Sequence, residues 1–178
     1  MRAPTIARNY AEALFELGER SGDTERYADL IEAVAGAVES DNRIKLVLES
    51  PRVSKTRKGE LLAAALAGRA PEQFIRFLHA VVRRGRQGVL SAVAHEYMAL
   101  VDVKFNRVHA SVVTAREPDQ SLQNEITKRL SAILSKEVLA HFRTDPAILG
   151  GVIIRVGDRV MDGSLRRKML RLRRSMLG

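Results

Sequence analysis

The residues with the most chemical potential gather in one stretch, Thr144 to Met169, which reads TDPAILGGVIIRVGDRVMDGSLRRKM. It holds a glycine pair, Gly150 and Gly151, and two acid–glycine punctuations, Gly157-Asp158 and Asp162-Gly163-Ser164. Three chemistries use such residues. A glycine loop can cradle phosphate, paired carboxylates can exchange protons, and clustered histidines or acids can hold a metal. A dinucleotide loop, however, needs G-x-G-x-x-G between a strand and the helix it opens, and this pair precedes the strand-like run GVIIRV. G-x-x-x-x-G-K-[ST] does not occur. Asp158 and Asp162 fall at a turn and at a helix start, where aspartate serves local backbone amides. His79, His95, His109 and His141 lie far apart in the chain without H-E-x-x-H spacing, and no serine sits in G-x-S-x-G. No catalytic residue, metal site or cofactor is predicted.

The end of the same stretch is basic. Six basic residues and no acid lie between Arg166 and Arg174, and residues 106–178 hold 14 basic against 7 acidic side chains. Residues 1–105 hold 16 and 14, so most of the net charge of +9 belongs to the last third. Such a block suits nucleic acid, an anionic membrane surface or an acidic protein. Aromatic content of 4%, with no basic–aromatic interleaving, counts against a base-stacking surface. No apolar run reaches the ~20 residues of a membrane span. The absence of cysteine fits a reducing compartment, and the first segment, with Glu12 and Glu16 inside it, reads as neither a signal nor a transit peptide.

The elements that position these residues come in two kinds. Before residue 105 the apolar period is helical. Ile6, Tyr10, Ala13, Leu14 and Leu17 form a first stripe, and Tyr27, Leu30, Ile31, Val34 and Val38 a second. A short helix after Asp41, one capped by Ser54, one opened by Pro71 and closed near Gly85, and one through Leu90–Val101 complete six. After Phe105 the period changes to two. Val108, Ala110 and Val112 alternate with His109, Ser111 and Val113, a helix follows with Leu122, Ile126, Leu130, Ile133 and Leu134 on one side, and Val138, Ala140 and Phe142 alternate again. His109 and His141 are expected on the strand face opposite the valines. Gly157-Asp158 is a hairpin turn, and Asp162 or Ser164 caps a final helix with Leu165, Met169, Leu172 and Met176 on one face. The predicted fold is α+β, a six-helix bundle over 1–105 followed by a small α/β domain over 106–178 with a C-terminal hairpin and terminal helix.

Three segments together resemble the delta subunit of F-type ATP synthase, the family of the mitochondrial oligomycin-sensitivity-conferring protein. They are ARNYAEALFELG, FLHAVVRRGRQGVLSAVAHEYMAL and DPAILGGVIIRVGDRVMDGSLRRKMLRLRRSML. The likeness runs nearly end to end and is most specific in the last third, through Gly150, Gly151, Gly157, Asp158, Asp162 and Ser164. It implies a non-catalytic stator connector without cofactors. The bundle would receive the N-terminal helix of an alpha subunit between its first and fifth helices, at Tyr10, Leu14, Phe77, Ala80, Val81 and Arg84. The second domain would bind the C-terminal region of the b subunit, here through Leu165, Met169, Leu172 and Met176. The resemblance further implies a bacterial form on the cytoplasmic face of the plasma membrane, membrane-associated only through the complex. A basic nucleic-acid-binding protein is the competing expectation.

Overall fold

The computed structural model describes residues 3–176, and the chain divides into two compact units, Met1–Val103 and Lys104–Gly178. The first is helical: α1 (Ala3–Ser21), α2 (Thr24–Ser40), α3 (Asn42–Glu49), α4 (Lys55–Leu66), α5 (Glu72–Arg83) and α6 (Leu90–Lys104). Local chemistry fixes the boundaries. The Asp41 carboxylate accepts the Arg43 amide at 2.8 Å and the Ser54 hydroxyl accepts the Arg57 amide at 3.2 Å, capping α3 and α4. Pro71 opens α5. Its end is a paired-bond stop, in which the amides of Gly85 and Arg86 donate back to the carbonyls of Val82 and Val81 at 2.8 and 3.0 Å. Gly85 sits there at φ 68°, where a side chain would be strained.

The bundle core is drawn from Leu14, Tyr27, Ile31, Phe74, Leu78, Val81, Val93 and Tyr97, all buried. Tyr27 and Phe74 meet edge to face at 5.6 Å, the arrangement favoured by ring quadrupoles. Tyr97, on α6, donates its hydroxyl to the Thr24 carbonyl at 2.9 Å. Gly18 makes that reach possible, because a Cβ there would stand 2.8 Å from the Tyr97 oxygen. Ala13, expected on the first apolar stripe, is exposed, and Ala7 and Ala11 are buried instead. Small residues on that side let the neighbouring helices come close.

The second unit is a four-stranded sheet in the order β2-β1-β3-β4, formed by β1 (Arg107–Thr114), β2 (Glu137–Thr144), β3 (Val152–Val156) and β4 (Arg159–Asp162). β1 and β2 are parallel and are joined through α7 (Gln120–Leu134); β1–β3 and β3–β4 are antiparallel. Ala110, Val112, Leu130 and Val138 form the core, with Ile126, Leu134, Phe142 and Ile154 packed against it. Leu122 and Ile133, predicted on the buried side of α7, are 44% and 72% exposed. Residues 126, 130 and 134 keep one line toward the sheet, whereas 133 lies about 100° round the helix from 134. The final helix, α8 (Leu165–Met176), follows β4.

Burial raises the Tyr97 phenol above its ordinary value of 10.0, and Tyr27 and Glu19 add to the effect. A raised phenol pKa contributes stability that is full below pH 10 and is lost as pH rises through the folded value. The hydroxyl of Tyr27 is also buried but has no hydrogen-bond partner among the described residues. Two conservative substitutions should therefore differ in sign. Tyr97→Phe is expected to lower the bundle's stability by about 1 kcal/mol, and Tyr27→Phe to leave it unchanged or raise it. Urea midpoints of the helical transition at neutral pH check this, and equal losses in both variants would refute the assignment.

Candidate docking surfaces

The face between α1 and α5 is built by two lines of residues that point at each other. The Tyr10 ring meets Phe77 edge-on at 6.1 Å. Leu14 and Val81 are fully buried and Phe77 is 7% exposed, so these three belong to the bundle core and not to an open groove. The reason is the shared stripe: Tyr10 and Leu14 lie one turn apart on α1, so the same line of residues supplies the bundle core and its rim. Tyr10 is half-buried, and Ala80 and Arg84 are exposed. Those three remain available on this face.

A second surface on the bundle is more open and more apolar. α2, α3 and α4 enclose a groove of about 430 Å³, lined among others by Val34, Val38, Ile44, Val47, Leu61 and Leu66. Ile44, Val47 and Leu61 are 36%, 37% and 42% exposed, and neighbouring Leu46 is 61% exposed. The signal was in the composition of α3: four apolar residues in eight, of which Leu48 alone is buried. One face of a helix that short cannot bury four, so apolar surface is left for something else.

In the second unit the glycines act as a clasp. The Leu165 amide donates to the Gly150 carbonyl, and the Gly163 amide to the Val152 carbonyl, each at 2.9 Å. The start of β3 is thereby tied to the end of β4 and the start of α8. Gly151 has φ 79°, and a Cβ on it would overlap the carbonyl oxygen of Gly163. At Gly150 the obstacle is only the Leu165 side chain, at 2.7 Å. Gly157 stands at φ 54°, first of the two residues between Val156 and Arg159, as a primed hairpin turn requires. Ser164 caps α8, its hydroxyl accepting the Arg167 amide at 3.2 Å. Asp162 supports the cap by accepting the Ser164 amide at 3.0 Å. Hydrogen bonds from Ser164 hold the Asp162 carboxyl below its ordinary value, with weaker help from Arg167 and Arg171. Asp158 is exposed in the turn, so the two carboxylates have separate local duties.

The apolar line of α8 faces outward. Leu165, Met169, Leu172 and Met176 are 47%, 62%, 64% and 78% exposed. Arg166, Arg167, Lys168, Arg171 and Arg173 surround them. An apolar stripe with a cationic rim is the form of a helix that docks on a partner carrying acids around an apolar track.

The histidines lie where the apolar periods put them, with His109 and His141 on the sheet face opposite Val108 and Val138. His79 and His95 are exposed on their helices, but His109 and His141, 32 positions apart, are adjacent across β1 and β2. Among the described residues no group of three or more His, Cys, Asp or Glu side chains could hold a metal ion. None of their helices is long and apolar enough to cross a membrane.

The family described as ATP synthase delta (OSCP) subunit matches residues 6–176. ATP synthase subunit delta of Gemmatimonas aurantiaca is 44% identical over 178 residues, spanning 100% of this chain and 96% of its own. The subunit of the same name from an Anaeromyxobacter species is 37% identical, with 97% of each chain covered. In three dimensions, a chain in the cryo-EM structure of the Toxoplasma gondii mitochondrial ATP synthase hexamer is similar at a TM-score of 0.67, over 97% of both chains and at 21% identity. That likeness bears on the fold.

The clasp makes a graded prediction. Gly151→Ala must accept both a disfavoured φ and a collision with backbone, and should cost about 1–3 kcal/mol. Gly150→Ala should cost clearly less, because a half-exposed leucine can move aside. Thermal melting of the two variants checks the order, and the reverse ranking would refute the clasp.

Proposed function

This chain belongs to the ATP synthase delta (OSCP) subunit family, and on that premise we propose that it is the stator connector of an F-type ATP synthase. The observation that carries the proposal is the placement of exposed apolar surface. Each compact unit has its own: on the bundle the α1–α5 face, with Ala80 exposed beside half-buried Tyr10, and on the second unit the line along α8. A connector needs two independent docking faces, and needs no active site between them.

In this reading the bundle grips the catalytic head through the N-terminal helix of an alpha subunit. α8 engages the C-terminal region of the b subunit in the peripheral stalk, its leucines and methionines as anchors and its arginines as rim. The head is then held against the torque of the rotor, which is what allows rotation to drive ATP synthesis. The chain contributes no catalytic residue, and it stands on the cytoplasmic face of a bacterial plasma membrane through its partners alone. The nucleic-acid reading rests on charge alone and leaves the apolar line of α8 unexplained.

Binding of an alpha N-terminal peptide to the full chain separates the two bundle faces. Tyr10→Asp places a charge against Phe77 and is expected to weaken the peptide by several kcal/mol. Leu61→Asp, in the α2–α3–α4 groove, should leave the affinity within about twofold, the scatter of a surface change. Calorimetry giving the opposite pair of results would move the alpha site to that groove.

For the stalk, Met169→Ala with Leu172→Ala should weaken binding of the b C-terminal region by about 2 kcal/mol or more, since central apolar anchors dominate such interfaces. Arg171→Gln with Arg173→Gln should mainly slow association and flatten its salt dependence. Titrations over a salt series against b and against duplex DNA decide between partners. Steep salt-dependent DNA binding with no affinity for b would overturn the stator reading.

A further inference from the structure

We propose that His109 and His141 form a two-histidine site for a borderline transition-metal ion, Cu²⁺ before Zn²⁺ or Ni²⁺. The Nδ1 of His109 lies 3.1 Å from the Nε2 of His141, and both side chains are exposed. The two rings are within 8° of parallel, and their centroids are 5.4 Å apart. That separation is the nitrogen–nitrogen distance plus the two ring radii, so the rings are nearly coplanar and meet head-on through one N–H···N bond. Two nitrogens that share a proton present two lone-pair sites to the same point in space.

The spacing suits a metal. Two metal–nitrogen bonds of about 2.0–2.1 Å span 3.1 Å at an angle of about 100°, between the square-planar and tetrahedral values. To aim both lone pairs at such an ion each ring turns by about 40°, which the broad terminal torsion of histidine allows for an exposed side chain. The ring that donates in the N–H···N bond then carries its proton on its other nitrogen, so two neutral imidazoles act as ligands and solvent supplies the remaining positions. Hard ions are excluded by ligand type, because Mg²⁺ and Ca²⁺ want carboxylate oxygens. Copper leads by the general order of divalent affinities.

The backbone holds the pair in place. His109 pairs with Leu139 and His141 with Ser111 in the parallel register, so the two histidines sit on adjacent strands on the face that also carries Ser111 and Leu139. The charged groups of that face include Arg107, bound to Glu137 at 2.6 Å, with Arg143 on β2, Arg155 on β3 and Asp162 on β4. The arginines keep the site moderate in strength and make it an exchangeable one. A bound ion would staple the edge strand β2 to β1, and would stabilise the unit in proportion to its occupancy.

The test uses the full chain without a histidine tag, titrated with Cu²⁺ at neutral pH and followed by calorimetry and electron paramagnetic resonance. One equivalent should bind, with nitrogen couplings from two imidazoles. His109→Gln and His141→Gln should each weaken it by at least the ~10-fold that loss of even a supporting partner costs a metal site, while His79→Gln and His95→Gln leave it unchanged. Acidification should release the ion, since protons compete for the same nitrogens. Absence of a bound equivalent, coupling to a single nitrogen in the native chain, or unaltered affinity in the His109 and His141 variants would overturn the site.

Discussion

Two separate cores have to be made from 178 residues, and small cores cannot cover every apolar side chain that short elements present. The fraction of surface a domain can bury falls with its size. The consequence is visible in where coverage stops. Tyr27, Phe74, Val93 and Tyr97 are enclosed by helices on several sides, whereas α3 and α4 lie at the edge of the bundle and leave Leu46 and Leu61 open. In the second unit the sheet has α7 on one face, and α8 carries its apolar line outward. Uncovered apolar surface costs solubility in an isolated protein, and contiguous patches mark places where another chain completes the core.

What separates the two units mechanically is how their open surfaces are held. The bundle's groove lies between helices, two of whose starts are fixed by the Asp41 and Ser54 side-chain caps. α8 is fixed at one end. The Ser164 cap, the Asp162 carboxylate and the bond from Leu165 to the Gly150 carbonyl define where it begins and in which direction it leaves the sheet. Because Asp162 is held in its charged form by the Ser164 bonds, that anchorage is complete above the ordinary carboxylate pKa and weakens only in acid. A helix anchored at its N-terminus can present its whole length to a partner without disturbing the sheet.

Much of this was legible in the sequence because it rests on local rules. The change of apolar period near residue 105, the Ser54 cap, the Gly85 stop and the Gly157 turn each follow from a few adjacent residues, and each appears where the sequence places it. Other features depend on which of two apolar options the tertiary structure selects. Leu14 and Val81 have the types and spacing of a groove, but the opposite helix takes them into the core. Ile133 has the type for the α7 stripe but lies off its line. The Gly150–Gly151 pair reads as structural, yet only the contact with Gly163 shows that the second glycine is the constrained one. His109 and His141 are distant in sequence, and only a parallel crossover of this length and register brings them together.

The basic charge of the last third takes its meaning from this arrangement. Arginines on a solvated helix repel one another, and several within two turns cost helix stability unless an acidic surface is close. Here they flank an exposed apolar line that is itself unfavourable in water. Each feature alone is a liability, and one partner relieves both: a helical track with apolar residues along its centre and acids at its edges. Duplex DNA would satisfy the arginines but leave the leucines and methionines in water, and an apolar ligand would do the opposite. The pairing of the two on α8 is therefore what favours a protein partner over a polyanion.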